Sequence, residues 1–260
     1  MKTLFRLIGL TMLGILLMGG LLASVFAHSL EAALTVPANS LVAPANLPKA
    51  TTPATPGTTP TEAVTNILAQ DTFQRADQLL WGSASDGQTW GGDTTNQAVF
   101  SIVAKTGQAA NGQGAFNATL GPVITDGEVQ FSGSINRFNQ SNFGALLRWT
   151  DANDWYKAYI DGTNLILLKK VAGMTTRIGA VPFKAIAGVF YTLRFRVSGT
   201  PLATLSAKVW QTGNPEPANW LVTATDSSLQ RGFGGLRFLL GNGIVAKITL
   251  FKETTLTIIS

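Results

Sequence analysis

Beyond residue 71, apolar and polar positions alternate almost one for one. In "EVQFSGSIN", Val129, Phe131, Gly133 and Ile135 are interleaved with Glu128, Gln130, Ser132 and Ser134. In "YTLRFRVSG", Tyr191, Leu193, Phe195 and Val197 are interleaved with Thr192, Arg194, Arg196 and Ser198. Successive side chains of a pleated strand point to opposite faces, so a period of two marks a strand with one buried and one wet side. "IVAKITLF" keeps the period more loosely. Turn-forming residues separate the runs: Asp126-Gly127, Asp161-Gly162, Gly199-Thr200-Pro201 and Gly241-Asn242-Gly243. No long segment repeats at the helical period. Residues 71–260 are therefore expected to form one all-β domain, a two-sheet antiparallel β-sandwich.

The stretch richest in chemistry is "NFGALLRWTDANDWYKAYIDG". It predicts a strand near Phe143–Trp149, a turn through "TDAND", and a strand near Trp155–Asp161. Strict alternation puts Phe143, Ala145, Leu147 and Trp149 on one face of the first strand, with Gly144, Leu146 and Arg148 on the other. In the second, Tyr156, Ala158 and Ile160 oppose Trp155, Lys157, Tyr159 and Asp161. Arg148, Trp155, Lys157 and Tyr159, joined by Arg194 or Arg196 of a later strand, would then make one polar and aromatic sheet surface. Aromatic rings stack on the apolar faces of sugar rings while Arg, Asp and Asn bond hydroxyls, so such a surface suits a saccharide. The same residues also describe ordinary cross-strand pairing on a wet sheet face.

Two segments precede the domain. Residues 1–27 combine a basic start (Lys2, Arg6), an apolar run and Val25-Phe26-Ala27, which has small residues where signal peptidase needs them. The run also has the length of an uncleaved membrane anchor helix, and both readings put the rest of the chain outside the cytoplasm. Residues 28–70 are dominated by Thr, Pro and Ala. Prolines at 37, 44, 48, 53, 56 and 60 block helix and central strand, giving a disordered, semi-extended stalk.

Composition removes several classes of chemistry. There is no Cys, so disulfides, thiolate metal sites and Cys nucleophiles are unavailable. The single His, His28, lies beside the cleavage motif, so the folded domain has no His triad or multi-His metal site. The net charge of +5 is spread over isolated residues rather than a basic run, which argues against nucleic acid as a partner. Membrane contact is expected only through an uncleaved N-terminal segment.

"DTFQRADQLLWGSASDGQTWGG", with Asp71, Phe73, Arg75, Ala76, Asp77, Trp81 and Gly82, resembles the opening of concanavalin A-like lectin/glucanase domains of secreted bacterial proteins. "GALLRWTDANDWYKAYIDG", "YTLRFRVSGTPLATLSAKVWQTGNPEPANWLVTATDSS" and "GFGGLRF" resemble their middle and end. The resemblance implies a jelly roll with its first and last strands adjacent and one concave face. The group includes lectins, laminin-G-like modules and glucanases. Its glucanases carry Glu-x-Asp-x-x-Glu on one strand, and this chain has no such motif: Glu128, Glu216 and Glu253 are its only glutamates past residue 62.

The expectation is thus an exported, non-catalytic module binding a polysaccharide, a glycan or another cell-surface polymer through Arg148, Trp155, Lys157, Tyr159, Arg194 and Arg196. Two alternatives stay open: a glycoside hydrolase pairing Glu128 with Asp154 or Asp161, and a structural cell-surface module. No cofactor is expected beyond a structural Ca²⁺ at Asp71 and Asp77, whose carboxylates are hard oxygen ligands in a loop-rich segment. Trp210 and Trp220 bracket a loop broken by Pro215 and Pro217, expected to fold back so that Trp220 covers a core edge.

Overall fold

The computed structural model describes residues 66–256, so the signal or anchor segment and nearly all of the stalk lie outside the described residues. Sixteen strands follow one another: β1 (Ile67–Asp71), β2 (Gln78–Leu79), β3 (Gly91–Gly92), β4 (Phe100–Val103), β5 (Thr106–Ala110) and β6 (Gly114–Ile124). Then come β7 (Gly127–Ile135), β8 (Asn142–Asp151), β9 (Asp154–Ile160), β10 (Asn164–Val171) and β11 (Met174–Pro182). The last are β12 (Tyr191–Ser198), β13 (Ala203–Gln211), β14 (Val222–Asp226), β15 (Gly232–Leu240) and β16 (Val245–Thr255). The first strand thus starts ahead of residue 71, where composition ends the stalk.

The strands form two antiparallel sheets. A seven-stranded sheet runs β11-β10-β9-β8-β15-β6-β3. A nine-stranded sheet runs β14-β13-β12-β7-β16-β5-β4-β2, with β1 added alongside β16. The first and last strands therefore pair, Asp71 opposite Phe251. The alternation seen in sequence is the alternation of burial. Val129, Phe131, Leu193, Phe195 and Val197 of one sheet meet Phe143, Ala145, Leu147, Tyr156 and Ala158 of the other in a single apolar core. The turn signals at 126, 161–162, 199–201 and 241–243 fall between strands. The looser period of "IVAKITLF" is a register shift in β16 between Ile248 and Leu250.

The opening that carries the family resemblance is structural. Phe73, Trp81 and Trp90 pack edge-on and stacked with centroids 4.7–5.9 Å apart and are fully buried. Asp71, also fully buried, ties them down. Its Oδ1 accepts from the Phe73 N–H at 2.8 Å and Arg75 Nη1 at 2.8 Å; its Oδ2 accepts from Arg75 Nη2 at 3.0 Å and the Trp90 indole at 2.7 Å.

A line of irregularities crosses the seven-stranded sheet. The β15–β6 register shifts between Phe233 and Gly235, opposite Leu120–Pro122, and the β15–β8 register shifts in the same place. On β8 the shift falls at Arg148, a non-glycine residue at φ 51°. A bulge exchanges the faces of the residues beyond it. Trp149 consequently turns outward, in register with Phe233, instead of joining Leu147 in the core.

Candidate functional site

The outer face of the seven-stranded sheet carries a cleft of about 210 Å³. Trp155, Lys157 and Tyr159 of β9 supply one wall because alternation turns all three away from the core. Strand pairing brings the rest: Asn142 of β8, Lys170 of β10, and Arg237 and Leu239 of β15. Lys157 is only 3% exposed; its Nζ donates to Asn142 Oδ1 at 2.5 Å and sits 4.7 Å from the Tyr159 ring centroid. The Arg237 guanidinium lies 4.7 Å from the Trp155 ring centroid and donates to Asn117 Oδ1 at 2.5 Å. Trp155 spends its indole N–H on the Ala152 carbonyl, so it acts as a floor beneath Arg237. Burial pushes the Lys157 amine well below the usual lysine range, and the Arg237 charge pushes the same way. Burial also lowers Arg237, opposed by Asp93.

Further along the same face, Val123, Phe233 and Trp149 form a cross-strand row with Arg231 beside it, lining a second depression of about 380 Å³. Phe233 and Arg237 lie four positions apart on β15, about 13 Å at roughly 3.3 Å per residue.

The six residues expected to share a surface divide among three places. Trp155, Lys157 and Tyr159 do meet in the cleft. Arg194 and Arg196 lie on the nine-stranded sheet, the opposite side of the sandwich, across from Gln130 and Glu128 of β7. There Glu128 pairs with Arg194 at 3.1 Å and Arg196 at 2.8 Å, and Glu216 pairs with Arg194 at 2.8 Å and Lys208 at 2.6 Å. The loop bearing Glu216 folds over this face, with Trp220 4.9 Å from both Arg196 and Lys208. Trp220 thus covers cations, where a core edge was expected.

Arg148 belongs to neither face. It is 1% exposed and donates to the carbonyls of Thr125 at 2.9 Å, Leu229 at 2.6 Å and Gly199 at 2.8 Å, so one side chain pins three loops. Alternation misplaces it because the bulge at its own position breaks the period. Replacing Arg148 by Met is expected to cost about 2–3 kcal/mol in urea unfolding, since three carbonyls lose their donor. Ligand affinity should not change.

The hydrolase alternative needs two carboxyl groups facing each other, roughly 5–10 Å apart. Glu128 is held between two guanidiniums, on the other sheet from Asp154 and Asp161. Asp161 accepts from the N–H groups of Thr163 and Asn164 in its own turn, and Asp154 from that of Ala172 in the β10–β11 turn, so both are occupied with loop backbone. No carboxylate lines the cleft. The Ca²⁺ expectation meets a similar obstacle. Both oxygens of Asp71 are taken up by Arg75, Trp90 and backbone N–H groups, while Asp77 accepts from the Ala104 N–H. A carboxylate already matched to a guanidinium does not suit a cation, and among the described residues no three acidic or imidazole groups gather.

Sequence reasoning missed Arg237 and Asn142. Alternation in "GLRFLL" marks Arg237 as outward, but only the pairing of β15 with β8 puts it beside Trp155.

No protein-family model matches the chain, and no curated protein is similar to it in sequence. Solved structures match it in fold. A xylan β-1,4-xylosidase from Bacillus halodurans superposes with a TM-score of 0.52 at 16% identity, over 71% of this chain and 38% of that one. A GH43 protein from Bacillus licheniformis gives 0.52 at 10% identity, over 72% and 39%. A carbohydrate-binding module from Bacillus subtilis gives 0.47 at 16% identity, over 62% and 94%. This chain thus spans well under half of the two enzymes. The strand order and the superpositions on those enzymes show the fold: the domain is a two-sheet antiparallel β-sandwich of the jelly-roll kind.

Proposed function

We propose that this domain binds polysaccharide along the outer face of its seven-stranded sheet and does not cleave it. The observation that carries the reading is the composition of that face. Tyr159 and the Trp149–Phe233 pair offer ring surface, Asn142, Lys157 and Arg237 offer donors, and no carboxylate lines the cleft. Rings and donors running along one strand direction suit a chain-like ligand. We place the domain outside the cell as well, on the strength of the basic and apolar N-terminal pattern. A secreted protein whose mass begins at His28 would support cleavage there.

Affinity electrophoresis of the full chain in gels containing a panel of plant, algal and bacterial polysaccharides tests the reading. Tyr159→Ala and Phe233→Ala are each expected to weaken binding about two- to tenfold, the worth of one aromatic contact. Arg194→Ala, on the opposite sheet, should leave it unchanged. Retardation lost with Arg194→Ala but kept with Tyr159→Ala would move the site to the other sheet. Release of reducing ends from a bound polymer would overturn the non-catalytic part.

A further inference from the structure

We infer, building on the polysaccharide reading, that the cleft selects a polymer bearing negative charge, with a carboxylate or sulfate group of one sugar seated between Arg237, Lys157 and Lys170. Three basic side chains line the cleft, and no acid lines it with them. Lys157 is withdrawn from water at 3% exposed, Arg237 beside it is half-buried, and the Arg237 charge acts on the Lys157 amine. Holding like charges together in a poorly solvated site is costly unless an opposite charge arrives to share their hydrogen bonds.

Among the surrounding elements only Asp93 acts on Arg237 with opposite charge, and it does not line the cleft. On the β6 side, Asp93 is the acid that acts on Arg237, but its Oδ2 accepts from the backbone and side-chain nitrogens of Asn117 at 2.7 and 3.5 Å. At the end of β9, Asp161 is bound into its own turn. Tyr159 feels both Asp161 and, more weakly, Arg177 of β11, neither of which lines the cleft, and Thr175 is neutral. On β10, Lys170 donates to the Ala152 carbonyl at 3.0 Å. The polar partners that Lys157 and Arg237 do have, Asn142 and Asn117, are neutral amides.

Donors remain for a ligand. An ammonium has three N–H groups, of which Lys157 gives one to Asn142 and turns toward the Tyr159 face. A guanidinium has five, of which Arg237 gives one to Asn117. Charge-assisted bonds to a carboxylate or sulfate are about twice as strong as the neutral bonds a sugar hydroxyl would make, so the site favours the anion. Arrival of the anion would also restore the proton affinity that burial takes from Lys157, so binding should draw protons from solution when the pH lies near the lowered value.

The test uses the full chain with four soluble polymers: polygalacturonate, the same polymer with its carboxyls reduced, dextran sulfate, and dextran. Isothermal titration at low salt is expected to show at least one charged polymer binding about tenfold or more tighter than its neutral counterpart, and which one wins identifies the group. Arg237→Gln and Lys157→Met should each abolish most of that preference, while Arg194→Gln on the opposite sheet keeps it. Lys170→Gln at the rim, which disturbs no buried group, should reduce it as well. Titration in two buffers of different ionisation enthalpy should report proton uptake for the wild type and none for Lys157→Met. Equal affinity for charged and neutral polymers would overturn the inference and leave the polysaccharide reading standing. No binding to any glycan would remove both. A preference that survives all three cleft substitutions would also overturn it, assigning the effect to the net charge of +5 rather than to the cleft.

Discussion

Glu253→Gln is expected to make the protein more stable than the wild type above about pH 8, and to leave it equal or slightly weaker near pH 4. Glu253 projects from β16 into the sandwich interior and is 0% exposed. Neither carboxyl oxygen has a well-formed hydrogen bond, and only the N–H of Gly234, opposite the bulges of β6 and β8, favours its charge. Its space is made by two glycines, Gly121 at φ 97° and Gly234, where a Cβ would collide with the carboxyl group. Burial pushes the acid up to about 8, against 4.5 for an ordinary glutamate, with only the Gly234 N–H opposing.

Proton counting gives the sign. Below pH 4.5 both folded and unfolded chains hold the proton, and the low-pH stability is complete. Between about 4.5 and 8 the unfolded chain has released it and the folded chain has not. The unfolded state then binds fewer protons, and stability falls as pH rises through that window. The full difference amounts to roughly 4–5 kcal/mol, taking 1.36 kcal/mol per unit. A glutamine cannot ionise, so its curve omits this fall, at a fixed cost of about 1–3 kcal/mol for a buried amide without partners. Urea unfolding of both proteins at pH 4, 6 and 8.5 should show the two stabilities crossing. Parallel curves would mean that Glu253 ionises as readily in the folded protein as in the unfolded one. Asp226 contributes in the opposite direction and lower on the scale. Burial would raise it, but bonds from Lys169, Tyr156 and Ser228 win and hold it at about 2. Its share of stability is complete above its unfolded value near 4 and is lost as pH falls toward 2, outside the Glu253 window.

Asp71→Ala is the other change expected to have a large effect, a loss of about 3–5 kcal/mol in the same measurement. Removing one member of a buried ion pair leaves the other uncompensated, and this is where buried pairs show their cost. Here Arg75, 20% exposed, would keep its bond to the Trp81 carbonyl and lose both carboxylate oxygens. The Trp90 indole and the Phe73 N–H would be left as buried donors. Asp71 lies where β1 meets β16, so the loss should also loosen the Phe73–Trp81–Trp90 cluster and change the tryptophan fluorescence of the folded state. A loss under about 1 kcal/mol would show that water replaces the carboxylate freely.

The legible and illegible parts of the site differ in kind. Lys157, Trp155 and Tyr159 can be placed on one face from sequence because they sit at alternate positions of one strand, and the pleat decides their direction locally. Arg194 and Arg196 do point outward on their strand, as alternation predicts, yet "outward" has two sides in a sandwich. Which sheet takes β12 depends on its pairing with β7 and β13. Arg148 escapes the pattern for another reason. The alternation rule assumes an unbroken ladder, and a residue at φ 51° interrupts it, sending Trp149 out and Arg148 in. The resemblance in the opening segment singles out Asp71 and Arg75, and the structure makes them a clamp on three aromatic rings.

Local chemistry along the chain was enough to determine the all-β class, the core-facing residues of β7, β9 and β12, and the positions of the turns. Each of these depends on neighbours within a few residues. The cleft itself was decided only by the tertiary structure. Its walls come from the consecutive strands β8, β9 and β10 and from the distant β15, and the pairing that brings β15 beside β8 is set by the packing of the whole sandwich. The burial that lowers Lys157 and raises Glu253 has the same origin, because the solvation of a charge depends on everything that surrounds it.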